Sequence, residues 1–101
     1  MDIEKNIIDL LAKNYLKGKQ ILREIELGVC TNSPSDINAY TKIVRHIEES
    51  IKYLDGNDLL IIKNEVLLGK RGNWYRDYLS TSSYYRNRKP AYKAFLRCIN
   101  K

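Results

Sequence analysis

The sequence predicts an all-α fold, a small helical domain of about five helices, and three observations favour it. Apolar residues recur every three or four positions along most of the chain, which is the period of an amphipathic helix. The apolar run Leu59–Ile62 could be a buried strand, but no second segment offers a strand for it to pair with. A chain of 101 residues can bury one modest core, so we expect one domain over residues 1–101.

The first helix is predicted within the segment DIEKNIIDLLAKNYLKGKQILREIEL, which follows the initial methionine. Asp2 is expected to cap it, Gly28 to stop it and Gly18 to mark a bend. Its apolar residues spread over more than one face, so this helix is the better candidate for dimerisation. Residues 1–69 are therefore expected to form a helical support that also holds a dimer surface.

The second and third helices are predicted on either side of the turn DGND at residues 55–58. The segment VCTNSPS is a loop, and the second helix starts near Asp36. The third helix, LLIIKNEVLLG, is apolar on most of its circumference and should be central, with Asn57 or Asp58 as its cap. One apolar stripe of the second helix is expected in the core: Ile37, Tyr40, Val44, Ile47, Ile51 and Leu54.

Charge is divided unevenly along the chain. Residues 1–69 hold nine Lys or Arg against eleven Asp or Glu, a net charge of −2, whereas residues 70–101 hold nine against one, a net charge of +8. This asymmetry predicts a polyanionic partner for the C-terminal third. A solvated basic face is the alternative, but the cations are interleaved with aromatic residues: Trp74, Tyr75, Tyr78, Tyr84, Tyr85, Tyr92 and Phe95.

The C-terminal third, residues 70–101, is predicted to contain a short helix over residues 73–79, a tight turn and a second helix. Trp74, Tyr78 and Leu79 are available to the core, and Ser80 or Thr81 caps the second helix. With Ser80 as the cap and about 100° per residue, one side of that helix is apolar and the other basic. The apolar side holds Tyr84, Ala91, Phe95 and Cys98; the basic side holds Ser82, Arg86, Lys89, Lys93 and Arg97, with Tyr85 on the flank.

Two residues of this second helix fit poorly. Arg88 projects into the apolar sector and is expected to reach outward along its aliphatic stem. Pro90 removes a backbone donor at a cost of about 3 kcal/mol in a continuous helix, so we expect a kink or break near Lys89. The part that reads DNA would then span residues 81–89, about two turns.

A short helix, a tight turn and a basic-faced helix together form a helix-turn-helix, whose second helix enters the major groove of DNA. Lysine and arginine supply charge for phosphates, and arginine supplies a forked donor for base edges. The sequence therefore predicts base reading by Arg86, Ser82 and Tyr85. Phosphate contacts are expected from Lys89, Lys93, Arg97, Lys70 and Arg71.

The motif LSTSSYYRNRKPAYKAF at residues 79–95 resembles the end of DNA-binding region 4 of bacterial sigma-70 factors. It is closer to the ArpU-type late transcription regulators of Gram-positive phages, in which Ser-x-Ser-x-Tyr-Tyr-Arg precedes a basic run, an alanine and an apolar residue. The preceding segment IEESIKYLDGNDLLIIKNEVLLG is also similar to those regulators. Together the resemblance covers roughly residues 43–99.

This resemblance implies a phage-related DNA-binding regulator of transcription, ending in a sigma-region-4-like helix-turn-helix. Residues 1–69, which precede this basic part, are too few to form the regions with which a complete sigma factor melts the promoter and binds polymerase. Expected partners are double-stranded DNA, RNA polymerase and a second copy of the chain, in the cytoplasm and without a membrane. The expected DNA-binding residues are Thr81, Ser82, Ser83, Tyr85, Arg86, Lys89, Lys93, Arg97, Lys70 and Arg71.

Two other functions remain open at this point. The basic and aromatic surface would also suit a helical module that docks on a host or polymerase protein. Tyr84 and Tyr85 could stack on single-stranded nucleic acid, although the helix phase buries Tyr84.

Catalysis and cofactors are not expected from the sequence. His46 lies at the margin of an apolar stripe, and no carboxylate pair, phosphate-binding glycine loop or metal-ligand spacing occurs. Cys30 and Cys98 lack CxxC spacing and are expected to be reduced thiols.

Overall fold

The computed structural model describes residues 3–100, in which helices joined by short loops are the regular structure and no strand occurs. The all-α prediction is therefore confirmed for the described residues, while the expected cap at Asp2 lies outside them. The four α-helices are α1 (Ile3–Glu26), α2 (Pro34–Ile51), α3 (Gly56–Ile62) and α4 (Thr81–Ile99). A π-helical turn (Lys63–Leu67) continues α3, and a 3-10 turn (Trp74–Asp77) precedes α4.

The connection between α1 and α2 is fixed at both ends by capping. Gly28 has φ +72°, and its N–H donates to the carbonyl of Ile25, while Val29 N–H donates to Glu24. This pair of bonds is the Schellman arrangement, so the predicted stop at Gly28 is confirmed. The hydroxyl of Ser33 accepts a bond from Asp36 N–H at 3.2 Å, and α2 begins at the next residue, Pro34.

Helices α1 and α2 pack as an antiparallel pair, and Gly18 lies at their contact. A Cβ atom at Gly18 would lie 2.4 Å from Val44 Cγ2 and 3.2 Å from the carbonyl oxygen of Tyr40. Helix α1 runs unbroken through Gly18 from Ile3 to Glu26, and the bend expected at this glycine stays a prediction. The glycine makes room for α2.

The third predicted helix is confirmed as helix rather than strand. Ile61, Ile62 and Val66 are fully buried, in agreement with the predicted central position. Its expected cap at Asn57 or Asp58 is wrong: α3 begins earlier, at Gly56, with Asp55 in the N-cap position and no capping side-chain bond.

The helix predicted over residues 73–79 is reduced to a single 3-10 turn, which leaves four α-helices rather than five. The segment lies between Gly72, with φ +71°, and the extended backbone of Ser80, so it is too short to offset the cost of helix nucleation. Its core residue also differs from the prediction. Tyr75 is 3% exposed, whereas Tyr78 is 56% exposed.

Helix α4 continues through Pro90, so the predicted break near Lys89 is wrong, while a kink there stays a prediction. Pro90 and Arg86 are both exposed, and the carbonyl of Arg86 that loses its donor can therefore be hydrated. Beyond the proline, Ala91, Tyr92 and Phe95 are at most 1% exposed. Their burial offsets the cost of the proline.

One hydrophobic core joins residues of all four helices, including Ile8 of α1, Ile47 of α2, Ile61 of α3 and Phe95 of α4. Of the predicted stripe on α2, the later members Val44, Ile47, Ile51 and Leu54 are buried, whereas Ile37 and Tyr40 are only half-buried. Within residues 3–100, no helix combines the length and the apolar character needed to cross a bilayer.

Candidate nucleic-acid interface

The N-terminus of α4 is capped as the sequence predicted. The hydroxyl of Ser80 accepts a hydrogen bond from Ser83 N–H at 3.2 Å. Thr81 and Ser82 are exposed in the first turn, and Ser83 is half-buried. The Ser83 hydroxyl accepts a bond from Arg86 Nη2 at 3.3 Å. This bond holds the guanidinium of Arg86 beside the first turn.

The predicted basic row of α4, Arg86, Lys89, Lys93 and Arg97, is exposed along its whole length. All four side chains line one open groove of about 910 Å³, which we call the basic groove. Because α4 is continuous, the row spans about three turns instead of ending at Pro90. Ala91 and Phe95, on another side of α4, are buried in the core.

Two carboxylates also line the basic groove. Glu4 lies in the first turn of α1, and Asp58 lies in the first turn of α3. Neither makes an ion pair with the basic row within the described residues. Their negative charge opposes a phosphate backbone at that edge of the groove.

Tyr85 forms the boundary between the basic groove and a smaller cavity near the loop that follows the π-helical turn. Its side chain is 56% exposed. The guanidinium carbon of Arg88 lies 5.2 Å from the Tyr85 ring centroid and 5.7 Å from the Tyr92 ring centroid. The half-buried Arg88 thus lies over aromatic faces.

Lys70 and Arg71 are not part of the basic row. Both line the smaller cavity. Arg71 donates to the carbonyl oxygen of Glu65 at 3.4 Å and approaches a carboxylate oxygen of Asp9 at 3.8 Å. The structure therefore divides the predicted phosphate-binding residues between two places.

A buried carboxylate that the sequence analysis missed holds the start of α4 in position. Glu65, 7% exposed in the π-helical turn, accepts a bond from Trp74 Nε1 at 3.1 Å and bonds from the hydroxyls of Tyr84 and Tyr92. It thereby connects three segments: the π-helical turn, the 3-10 turn and α4. The available signal was a single acidic residue inside a helix that is apolar on most of its circumference.

Burial, together with the hydrogen bond to Glu65, raises the pKa of Tyr84 and the pKa of Tyr92 above the ordinary value for a tyrosine. Both hydroxyls consequently remain protonated near neutral pH and can donate to the carboxylate. With three donors on its two oxygens, Glu65 is satisfied as a buried anion.

Aromatic rings complete this attachment. The Tyr75 and Tyr84 rings stack with centroids 4.0 Å apart and an interplanar angle of 4°. Trp74 meets Tyr84 edge to face at 5.8 Å, and Tyr85 meets Tyr84 at 5.1 Å. Because these contacts fix Tyr84, they fix which way the basic row of α4 faces.

The other end of α4 is tied to α2. His46 Nε2 lies 2.5 Å from the carbonyl oxygen of Ile99 in the last turn. His46 is exposed, as predicted for a boundary residue. Cys30 and Cys98 are both free thiols. No cluster of metal-ligating side chains occurs among residues 3–100.

Comparison of the chain with protein-family models, curated proteins and solved structures finds no match.

Proposed function

We propose that this protein is a sequence-specific DNA-binding regulator of transcription, of the kind implied by its resemblance to sigma region 4 and the ArpU-type phage regulators. The observation that carries the proposal is the unbroken basic row of α4. Four exposed cations line one groove, and a buried carboxylate and stacked tyrosines fix the helix that bears them.

The first turn of α4 would read base edges. Thr81, Ser82 and Arg86 lie within about one and a half turns of the helix N-terminus, which is the end that a recognition helix presents to the bases. The bond that Arg86 donates to the Ser83 hydroxyl limits the guanidinium to one region of space. A forked donor held in this way suits guanine, whose major-groove edge offers two acceptors.

The rest of the row would bind the backbone. Lys89, Lys93 and Arg97 extend along α4 for about 12 Å at 1.5 Å per residue, which is similar to the width of the major groove. Neutralising phosphates releases counterions and gives most of the affinity. A second copy of the chain or a contact with RNA polymerase would add to the affinity of this single helix.

The proposal is tested by comparing Arg86→Gln with Arg45→Gln, a matched control that removes the same charge from an exposed position on α2. Selection from a random duplex pool, followed by fluorescence anisotropy, measures sequence preference. We expect Arg86→Gln to lose about 1–3 kcal/mol of discrimination at one or two base pairs, and Arg45→Gln to keep the wild-type preference. Equal selection by both variants would contradict base reading by Arg86.

Docking on another protein is the second candidate function. It is favoured by the exposure of Tyr78 and Tyr85 and by the two carboxylates, Glu4 and Asp58, at the basic groove. The dependence of binding affinity on salt concentration distinguishes the two functions. DNA affinity should fall by orders of magnitude between low and moderate salt, whereas a contact anchored by tyrosines should change little.

Single-stranded nucleic acid is the weakest candidate. Tyr84 is 5% exposed, so Tyr85 alone would remain as a stacking platform in the YY pair.

A further inference from the structure

The smaller cavity, which we call the loop cleft, has a volume of about 200 Å³ and is lined by cations from three parts of the chain. Lys5 comes from α1, Lys70 and Arg71 from the loop after the π-helical turn, and Arg88 from α4. Tyr85 lines both the loop cleft and the basic groove. Only a folded chain brings these four cations together.

The charge of the loop cleft is positive after its carboxylates are considered. Asp9 is shared between Lys5 at 3.2 Å and Arg71 at 3.8 Å. Glu65 is buried and directs its oxygens to Trp74, Tyr84 and Tyr92. The four cationic side chains thus outnumber the two carboxylates that line the cleft.

Lys70 is the cation that this arrangement does not neutralise. Its side chain is exposed at the cleft and forms no ion pair with any of residues 3–100. Its backbone is fixed, because Lys70 N–H donates to the carbonyl of Asn64 at 2.9 Å. Positive-φ glycines on both sides, Gly69 and Gly72, give the loop its shape.

We propose that the loop cleft binds a phosphate group. A tetrahedral oxyanion accepts bonds from several directions, which suits two lysine ammoniums and two arginine guanidiniums arranged around one cavity. The guanidinium of Arg88 lies over the Tyr85 ring, which lines the same cavity. A volume of about 200 Å³ holds one phosphate group with several waters, since a water occupies about 30 Å³.

The phosphate has two possible sources with the same chemistry: the backbone of a duplex in the basic groove, or a free phosphate ester. Only the first source rests on the proposed function. In that case, the backbone would pass over Tyr85, with one phosphate in the loop cleft and its neighbours along α4. Lys5 and Arg88 would then join the DNA-binding residues.

Trp74, the single tryptophan of the chain, provides a local probe because it lines the loop cleft. Its indole N–H signal in ¹H–¹⁵N spectra should shift in a saturable way as inorganic phosphate replaces chloride at constant ionic strength. Lys70→Gln should weaken this phosphate binding roughly tenfold, as expected for the loss of one charge-assisted bond. Lys42→Gln, at an exposed position on α2 that lines neither the loop cleft nor the basic groove, should leave it unchanged.

The absence of a saturable shift in the wild-type chain, or equal phosphate affinity in the wild type and Lys70→Gln, would overturn the proposal. Lys70 is exposed, so an unchanged urea midpoint will show that Lys70→Gln is folded.

A short duplex, titrated under the same conditions, separates the two sources. If the backbone supplies the phosphate, the duplex shifts the Trp74 signal in the same direction as phosphate, and Lys70→Gln lowers the slope of log affinity against log salt by about one. Phosphate binding without duplex binding would support the cleft with a free ester as its ligand and overturn the proposed function. Duplex binding without a response of the Trp74 signal to phosphate would support the proposed function and overturn the proposal that the loop cleft binds phosphate.

Discussion

Glu65 shows how much of this structure depends on single polar groups. A carboxylate inside the core has to find partners for its oxygens, and here two tyrosine hydroxyls and one indole N–H supply them. The three donors follow Glu65 by 9, 19 and 27 residues. One buried charge therefore sets the position of the candidate interface without facing solvent itself.

Glu65→Gln should destabilise the fold by about 1–3 kcal/mol. The amide keeps one acceptor but places a donor against hydroxyl and indole groups that also donate, so at least one buried donor is left unpaired. Urea unfolding followed by circular dichroism measures the change. Glu26→Gln, at an exposed position at the end of α1, is the control and should differ from wild type by less than about 0.5 kcal/mol.

The raised tyrosine pKa values predict a loss of stability at alkaline pH. Tyr84 and Tyr92 stay protonated in the folded chain, whereas in the unfolded chain they ionise near pH 10. Their contribution is complete below about pH 10 and is lost as the pH rises above that value. Free energies of unfolding measured at several pH values should decline there, and the decline should be smaller in Tyr92→Phe. An equal decline in stability in the wild type and in Tyr92→Phe would contradict a raised pKa for Tyr92.

At the scale of elements, two helices contain a residue with low helix propensity in their interior: Gly18 in α1 and Pro90 in α4. Gly18 lies inside α1, where it weakens the helix, and it packs against Val44 of α2 without room for a Cβ atom. Pro90 lies inside α4, where the burial of Ala91, Tyr92 and Phe95 on the following turns holds the helix together. In both cases, tertiary packing outweighs helix propensity.

Gly18→Ala should destabilise the fold by about 1–3 kcal/mol, because its Cβ would lie 2.4 Å from Val44 Cγ2. Combining it with Val44→Ala removes that methyl group. The double variant should lose less stability than the sum of the two single variants when all are measured by thermal or urea unfolding. Strict additivity would show that the two positions do not conflict.

Pro90→Ala should stabilise the fold by between about 1 and 3 kcal/mol, because alanine restores the N–H that can donate to the carbonyl of Arg86. The measurement is again the free energy of unfolding. Ala94→Gly, on the next turn, should have the opposite sign and serves as a test that helix propensity is measurable at this end of α4. A destabilised Pro90→Ala would show that the proline has a packing role.

The sequence predicts features that depend on neighbouring residues better than features that depend on packing between helices. Residue type and spacing are enough to predict three features, and the structure agrees with each of them. They are the cap at Ser80, the end of α1 at Gly28, and the apolar and basic faces of α4. The continuity of α4 through Pro90 could not be predicted in this way, because it depends on burial against other helices. The same holds for Glu65, whose donors are brought to it only by folding.

At the scale of the whole molecule, the uneven division of charge along the sequence does not produce a purely positive surface, because folding brings carboxylates next to the cations. The cations of the last third lie in two places, the basic groove and the loop cleft, and acidic residues of the first two thirds lie at the edges of both. Glu4 and Asp58 therefore restrict where a polyanion can lie along α4.

Replacing both groove carboxylates, Glu4→Gln with Asp58→Asn, should raise duplex affinity several-fold at low salt and less at high salt, because screening already weakens their repulsion. Anisotropy over a salt series measures this. The control removes two carboxylates elsewhere, Glu26→Gln with Glu49→Gln, neither of which lines the groove. An equal gain in both double variants would attribute the effect to net charge alone.

The π-helical turn at Lys63–Leu67 has a consequence for how this chain can vary in length. A π turn winds one residue more than an α turn, and one residue corresponds to a rotation of about 100° around the helix. Deleting a single residue there would regularise the winding yet rotate the carboxylate away from its hydroxyl partners. Insertions and deletions should therefore be tolerated in the loop between α1 and α2 and rejected in this five-residue turn.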